Sequence, residues 1–190
     1  GVPAMNYGLL LDRSVDFDEF RAVLEPSYPR AADRAVGLQL IQMLWDRGEA
    51  SGYVQHLTTA PYEKTLKHRV LLQMAFGDHQ VANVGTEAEA RSIGARVVQP
   101  VLAGGRSPEE TPFWGIPAVG SFPFRGSAVV MFDSGADVPP TANVPPRSGA
   151  DPHSDPRADP AAIRQIVRFF ATGEVIDVCD RAPCTAAPQD

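Results

Sequence analysis

Val70-Leu71-Leu72-Gln73-Met74-Ala75-Phe76-Gly77-Asp78-His79-Gln80-Val81 decides how this chain is read. An apolar run of strand length stops at a glycine, and an acid and an imidazole follow at once. Because the apolar residues from Val70 to Phe76 run on instead of alternating, the segment reads as a strand covered on both faces, the kind found inside parallel sheets. Gly77 allows the sharp exit that such a strand needs. Asp78 is thereby placed just past a strand's carboxyl end, where open α/β sheets carry their binding and catalytic groups. An aspartate there can also simply cap the next helix. A second stretch 75 residues further on, Asp151-Pro152-His153-Ser154-Asp155, supplies an imidazole for it to meet.

Working outward, Arg96–Leu102 and Ser127–Phe132 (Ser-Ala-Val-Val-Met-Phe) read as two further strands, with a short helix over Glu87–Ile93 capped near Thr86. Gly104–Gly126 is irregular and rich in Pro, Gly and aromatics, including Phe113, Trp114, Phe122 and Phe124. Asp133–Pro160 carries seven prolines in 28 residues, a length of loop that is usually functional or disordered. Asp159 then caps a helix that has Pro160 at its first position and Gly173 at its end, with Ile163, Ile166, Val167 and Phe170 as the expected buried stripe. Upstream, Asp16 and Glu19 stand at capping-box spacing before Phe17, Phe20, Val23 and Leu24, with Pro26 and Pro29 closing that helix. A longer helix spans about residues 31–47, and its stripe of Val36, Leu40, Ile41 and Leu44 is expected to be core. Ser51–Lys67 reads as polar and turn-rich.

With 190 residues and 44% hydrophobic composition, the chain is large enough for one folded core. Its net charge of −6 argues against nucleic acid or an anionic membrane as partner. No apolar run reaches the roughly 18 residues of a membrane span. The two cysteines, Cys179 and Cys184, are too few for a tetrahedral zinc site and lack redox CxxC spacing. A small disulfide-closed loop is expected, and with it an oxidising compartment; the alternative is two free buried thiols. The chain opens on Gly1 rather than Met, so a processed product or part of a longer polypeptide is expected. Three strands, at least one of the doubly covered kind, cannot satisfy their own edges and faces, so only part of a sheet is expected here.

The order strand, Asp, helix, strands, long loop with His, final amphipathic helix resembles the carboxyl-terminal half of an α/β-hydrolase. In that family the triad runs nucleophile, acid, histidine along the chain. The resemblance implies an α/β fold with a mostly parallel sheet over residues 68–190 and a helical cap over residues 1–67. It makes Asp78 the orienting acid and His153 the general base. Leu44-Trp45-Asp46-Arg47-Gly48-Glu49 and Gly77-Asp78-His79-Gln80-Val81 are similar to segments of secreted bacterial hydrolases with large helical caps. Secretion or a periplasmic location follows from that likeness, as does hydrolysis of an ester or amide. The pattern departs from the family at one point: no Gly-x-Ser-x-Gly elbow occurs, and Ser51, Ser127 and Ser148 all lack glycines at the required positions, two residues to either side. The nucleophile serine would then belong to a companion polypeptide, with a small-molecule or acyl substrate and no cofactor. The alternative is a non-catalytic hydrolase-like chain kept for binding or assembly. His79 is expected at the rim, and His56 and His68 in solvent. A metal held by Asp78, His79, Asp151, His153 and Asp155 is disfavoured, because tight HxH or HExxH spacing is missing.

Overall fold

Strand β1, Leu71–Ala75, lies within the apolar run, and its side chains alternate between two cores. In this computed structural model, which describes residues 1–189, it pairs in parallel with β3, Ala128–Asp133, from Leu71 opposite Ala128 to Ala75 opposite Phe132. Two short strands share the other side of β3: β2, Arg96–Val97, against Ala128 and Val129, and β4, Cys184–Thr185, against Phe132 and Asp133. Every pairing in this four-stranded sheet is parallel, and β3 is its centre. The chain is therefore α/β, with helices packed on a small parallel sheet. Asp190, the last residue of the expected 68–190 segment, lies outside the described residues.

Leu72 and Met74 of β1 join Val129 and Met131 of β3 on one face, beneath Ala90 and Ile93 at helix α5, Asn83–Ser92. Ala128, Val130 and Phe132 face the other way, against Ala162 of helix α7, Pro160–Thr172. Burying each such large side chain contributes on the order of 1.5–3 kcal/mol. Gln73 is the polar exception within β1, and it is matched: its Nε2 donates to Ala162 O (3.0 Å) and to Gln165 Oε1 (2.9 Å). Gln165 Nε2 in turn donates to Ile176 O at 2.9 Å, so this buried amide pair satisfies the donors it buries.

Asp159 caps α7 by accepting from the amides of Ala161 (2.8 Å) and Ala162 (3.0 Å), and Gly173 ends it in the left-handed region at φ 67°. That helix has the expected bounds but buries different residues. Ala162 and Gln165 face the sheet, whereas Ile163, Val167 and Phe170 are exposed, Phe170 at 82%. The same holds upstream. Helices α1 (Tyr7–Arg13), α2 (Asp18–Ser27) and α3 (Ala31–Trp45) form, but α3 buries only Leu38 and Gln42. Its stripe of Val36, Leu40, Ile41 and Leu44, expected to be core, is exposed. The expected capping box is also absent. Ser14 Oγ instead caps a 3-10 turn, Val15–Phe17, and α2 starts after it without a side-chain cap. Pro26 lies inside the last turn of α2 rather than closing it. In the segment read as turns, a short helix α4, Val54–Thr58, forms.

Two further boundaries differ. α5 begins at Asn83, four residues before the expected start, and Thr86 is buried within it. β2 is two residues long instead of seven, since Pro100 has no amide to continue a ladder. β4 was not expected at all; two residues give no periodicity to read. The Cys179–Cys184 disulfide is formed, and Cys184 sits in β4 beside Phe132. Among the described residues, no helix is long and apolar enough to cross a membrane.

Candidate functional site

β1 ends where Gly77 turns at φ 78°, a conformation that L side chains rarely adopt. The neighbouring loop also closes on this point, because a Cβ on Gly77 would come within 2.9 Å of Asp137 O. Asn83, from the first turn of α5, holds the turn from the other side: its Oδ1 accepts from Gly77 N (3.0 Å) and its Nδ2 donates to Ala75 O (2.6 Å). Asp78 then folds inward. One carboxylate oxygen, Oδ1, accepts from the amides of Gln80 (2.9 Å) and Val81 (2.8 Å), leaving Oδ2 aimed elsewhere.

Oδ2 meets His153. The imidazole Nδ1 lies 2.9 Å from Asp78 Oδ2 and 3.1 Å from Oδ1. Both residues are buried: the Asp78 side chain is 1% exposed and that of His153 11%. Each is boxed in by the other's loop. A carboxylate can only accept here, so Nδ1 carries the proton. That is the tautomer in which Nε2 has a free lone pair, as a general base requires.

Nε2 does not face an open gap. The Arg157 guanidinium lies directly against it. His153 belongs to a 3-10 turn, Pro152–Ser154, that runs straight into helix α6, Asp155–Ala158, so Arg157 follows at helical i, i+4 spacing. Guanidinium can only donate, which again makes Nε2 the acceptor. Both imidazole nitrogens are thus spoken for, and a hydroxyl could reach Nε2 only after Arg157 turns away.

Asp151 ties the two loops together. Its Oδ1 accepts from the amides of His79 (3.1 Å) and His153 (3.1 Å), and its Oδ2 from Gln80 Nε2 (2.8 Å). Burial alone would raise its pKa, but the Gln80 side chain and the two amides outweigh that and hold it below the usual carboxylate value. His79, expected at the rim, is buried because its backbone is used twice: its amide reaches Asp151 and its carbonyl accepts from Val15 N at 3.0 Å. His68 is exposed, as expected. His56 is half-buried, its Nδ1 against Ala60 O (2.6 Å) and its ring stacked on Tyr62 at 3.9 Å. Asp155 turns to the chain's end, accepting from Gln189 N at 2.8 Å.

A cavity of about 240 Å³ adjoins Asp78, walled by Phe76, Phe113, Met131 and prolines of the long loop. His153 does not line it. Glu87 does, and burial, with Glu109 nearby, pushes its carboxyl pKa up. No protein-family model, curated protein or solved structure matches the chain.

Arg157 was not singled out by sequence reasoning, because the loop around it was read as irregular and helical spacing was not applied. Asp151 was named only as a disfavoured metal ligand; its capping role carried a signal, since an aspartate directly before Pro152 repeats the Asp159-Pro160 pattern that was recognised eight residues later.

Proposed function

We propose that this chain supplies the acid and base of a Ser-His-Asp hydrolase acting on an ester or amide, with the nucleophile serine on polypeptide outside these 190 residues. The Asp78–His153 contact carries the reading, because the carboxylate fixes the Nδ1–H tautomer that general-base catalysis needs. The placement supports it too: acid and base leave the carboxyl ends of two adjacent parallel strands, β1 and β3, as in the carboxyl-terminal half of an α/β-hydrolase. In this reading residues 1–67 are the cap. The disulfide suits an exported protein, since such bonds persist in oxidising compartments.

Catalysis would begin with Arg157 leaving Nε2 as the companion segment brings its serine hydroxyl there. His153 would take the hydroxyl proton as the oxygen attacks the acyl carbon, then pass it to the leaving group; Asp78 would stabilise the imidazolium in between. Fluorophosphonate labelling tests the reading. The chain alone should not react, and together with the nucleophile-bearing polypeptide it should give a labelled serine whose reaction is lost in His153→Ala. Labelling indifferent to His153 would refute it.

The Arg157 contact favours a second reading, a hydrolase-like chain that binds or assembles without catalysis, since both imidazole nitrogens are already engaged. Arg157→Ala separates the two. It should speed labelling of the assembled protein if Arg157 merely blocks Nε2, and leave it absent if no chemistry occurs.

A further inference from the structure

The first three helices enclose a trough that no part of the Asp78–His153 chemistry uses. Trp45, Tyr7, Phe17 and Phe20 stand in a row, with neighbouring ring centroids 5.9, 6.0 and 6.1 Å apart. With Leu11 and Leu44 they line a groove of about 410 Å³. A second hollow of about 460 Å³ shares Tyr7, Phe17, Gly48 and Glu49 with the first and ends on Gln80 and Val81. Those last two residues are the ones whose amides hold Asp78, and the Gln80 side chain reaches Asp151. The apolar groove therefore adjoins a more polar hollow that ends within a hydrogen bond of the acid. Either hollow exceeds the roughly 300 Å³ at which ordinary ligand pockets begin.

The trough is built rather than incidental. Gly8 lets α1 press onto α3, because a Cβ there would stand 3.0 Å from Leu38 O. Its amide donates to the buried Gln42 Oε1 at 2.9 Å, and Gln42 Nε2 donates onward to Asp46 Oδ1 at 2.7 Å. The bond from Val15 N to His79 O fixes this frame to the acid-bearing turn. The charges on the walls select among apolar ligands. Asp16 and Glu49 line the trough, and no lysine, arginine or histidine does. A carboxylate-bearing chain would meet repulsion with nothing to pair it, whereas an uncharged one meets the aromatic and aliphatic surface without that repulsion.

We infer that the trough binds the alkyl or aryl part of an uncharged ester or amide; naming an ester or amide rests on the hydrolase reading, whereas the apolar, uncharged character rests on the trough itself. Binding of methyl hexanoate, methyl octanoate and methyl decanoate to the full chain, followed by calorimetry and by tryptophan fluorescence, tests it. Affinity should rise about fourfold for each methylene that is buried. Sodium decanoate should bind at least tenfold more weakly than methyl decanoate. Leu44→Asp, at a position 68% exposed and so compatible with folding, should weaken methyl decanoate by tenfold or more. Absence of saturable binding, affinity indifferent to chain length, or an unchanged Leu44→Asp would each overturn the inference. Decanoate, or decyltrimethylammonium, binding tighter than the methyl ester would overturn the uncharged assignment. His153→Ala should leave this binding intact while abolishing fluorophosphonate labelling of the assembled protein. Chain-length-dependent binding without any labelling supports the trough and removes only the hydrolase reading, and labelling without such binding does the reverse.

Discussion

The two ends of this chain treat their apolar residues in opposite ways. In the sheet, the large side chains of β1 and β3 are nearly all out of solvent, and even Gln73 is buried with its partners in place. In the helices upstream, Val36, Leu40, Met43 and Leu44 stand in the open, and of the two residues that α3 buries, Leu38 and Gln42, one is polar. α7 takes after both, capped as tightly as any sheet element yet presenting Ile163, Val167 and Phe170 outward. The difference teaches that periodicity identifies a helix without saying which way it faces. A strand covered on both sides has no wrong face to present, whereas an amphipathic helix is oriented by whatever lies next to it.

The largest expected effect lies at the site. In the protein assembled with its nucleophile, Asp78→Asn should lower ester turnover by about 10⁴, since the amide favours the wrong imidazole tautomer. A loss under tenfold, measured on a nitrophenyl ester, would mean that His153 needs no orienting acid. In the sheet, Phe132→Ala should cost about 3–5 kcal/mol in chemical denaturation, as expected for a large side chain at 1% exposure. A cost below 1 kcal/mol would erase the contrast drawn above.

Asp151→Asn should cost about 1–2 kcal/mol at neutral pH, because an amide cannot accept from all three of its present donors. Its folded pKa lies below the ordinary 3.8, so the carboxylate's contribution is complete above that value and is lost as pH falls through the lower one. The melting temperatures of wild type and Asp151→Asn should therefore converge below about pH 4. Curves that stay parallel into acid would show the carboxylate charge to be idle. Asp159→Ala should remove about 1 kcal/mol with the loss of a helix cap. Least of all, Leu40→Ser should change stability by no more than about 0.5 kcal/mol, as at an ordinary surface position. A clear destabilisation there would show that the α3 stripe is covered in solution and the contrast with the sheet weaker than it looks.

What could be read in advance follows the same division. The run into Gly77, the caps at Asp159 and Gly173 and the meeting of Asp78 with His153 depend on neighbouring residues or on strand order, and both are written along the chain. The occupant of His153 Nε2 was not legible, because it required knowing that Pro152–Ala158 is helical despite two prolines. The burial of His79 was hidden as well, since it comes from backbone bonds to Asp151 and Val15 that side-chain type does not reveal. The exposed stripes of α3 and α7 needed tertiary placement, which apolar spacing does not carry.

Asp78 and His153 are separated by 75 positions along the chain, and the strands that present them by 57. Closing loops of that size costs entropy before any contact repays it, and parallel pairing across a crossover is slow to form. The carboxylate can reach the imidazole only once β1 has found β3 and the proline loop has settled over Gly77. Their hydrogen bond is thus expected to form late in folding. A probe of the His153 ring would report the pairing of β1 with β3 and the seating of the loop, not merely the local turn.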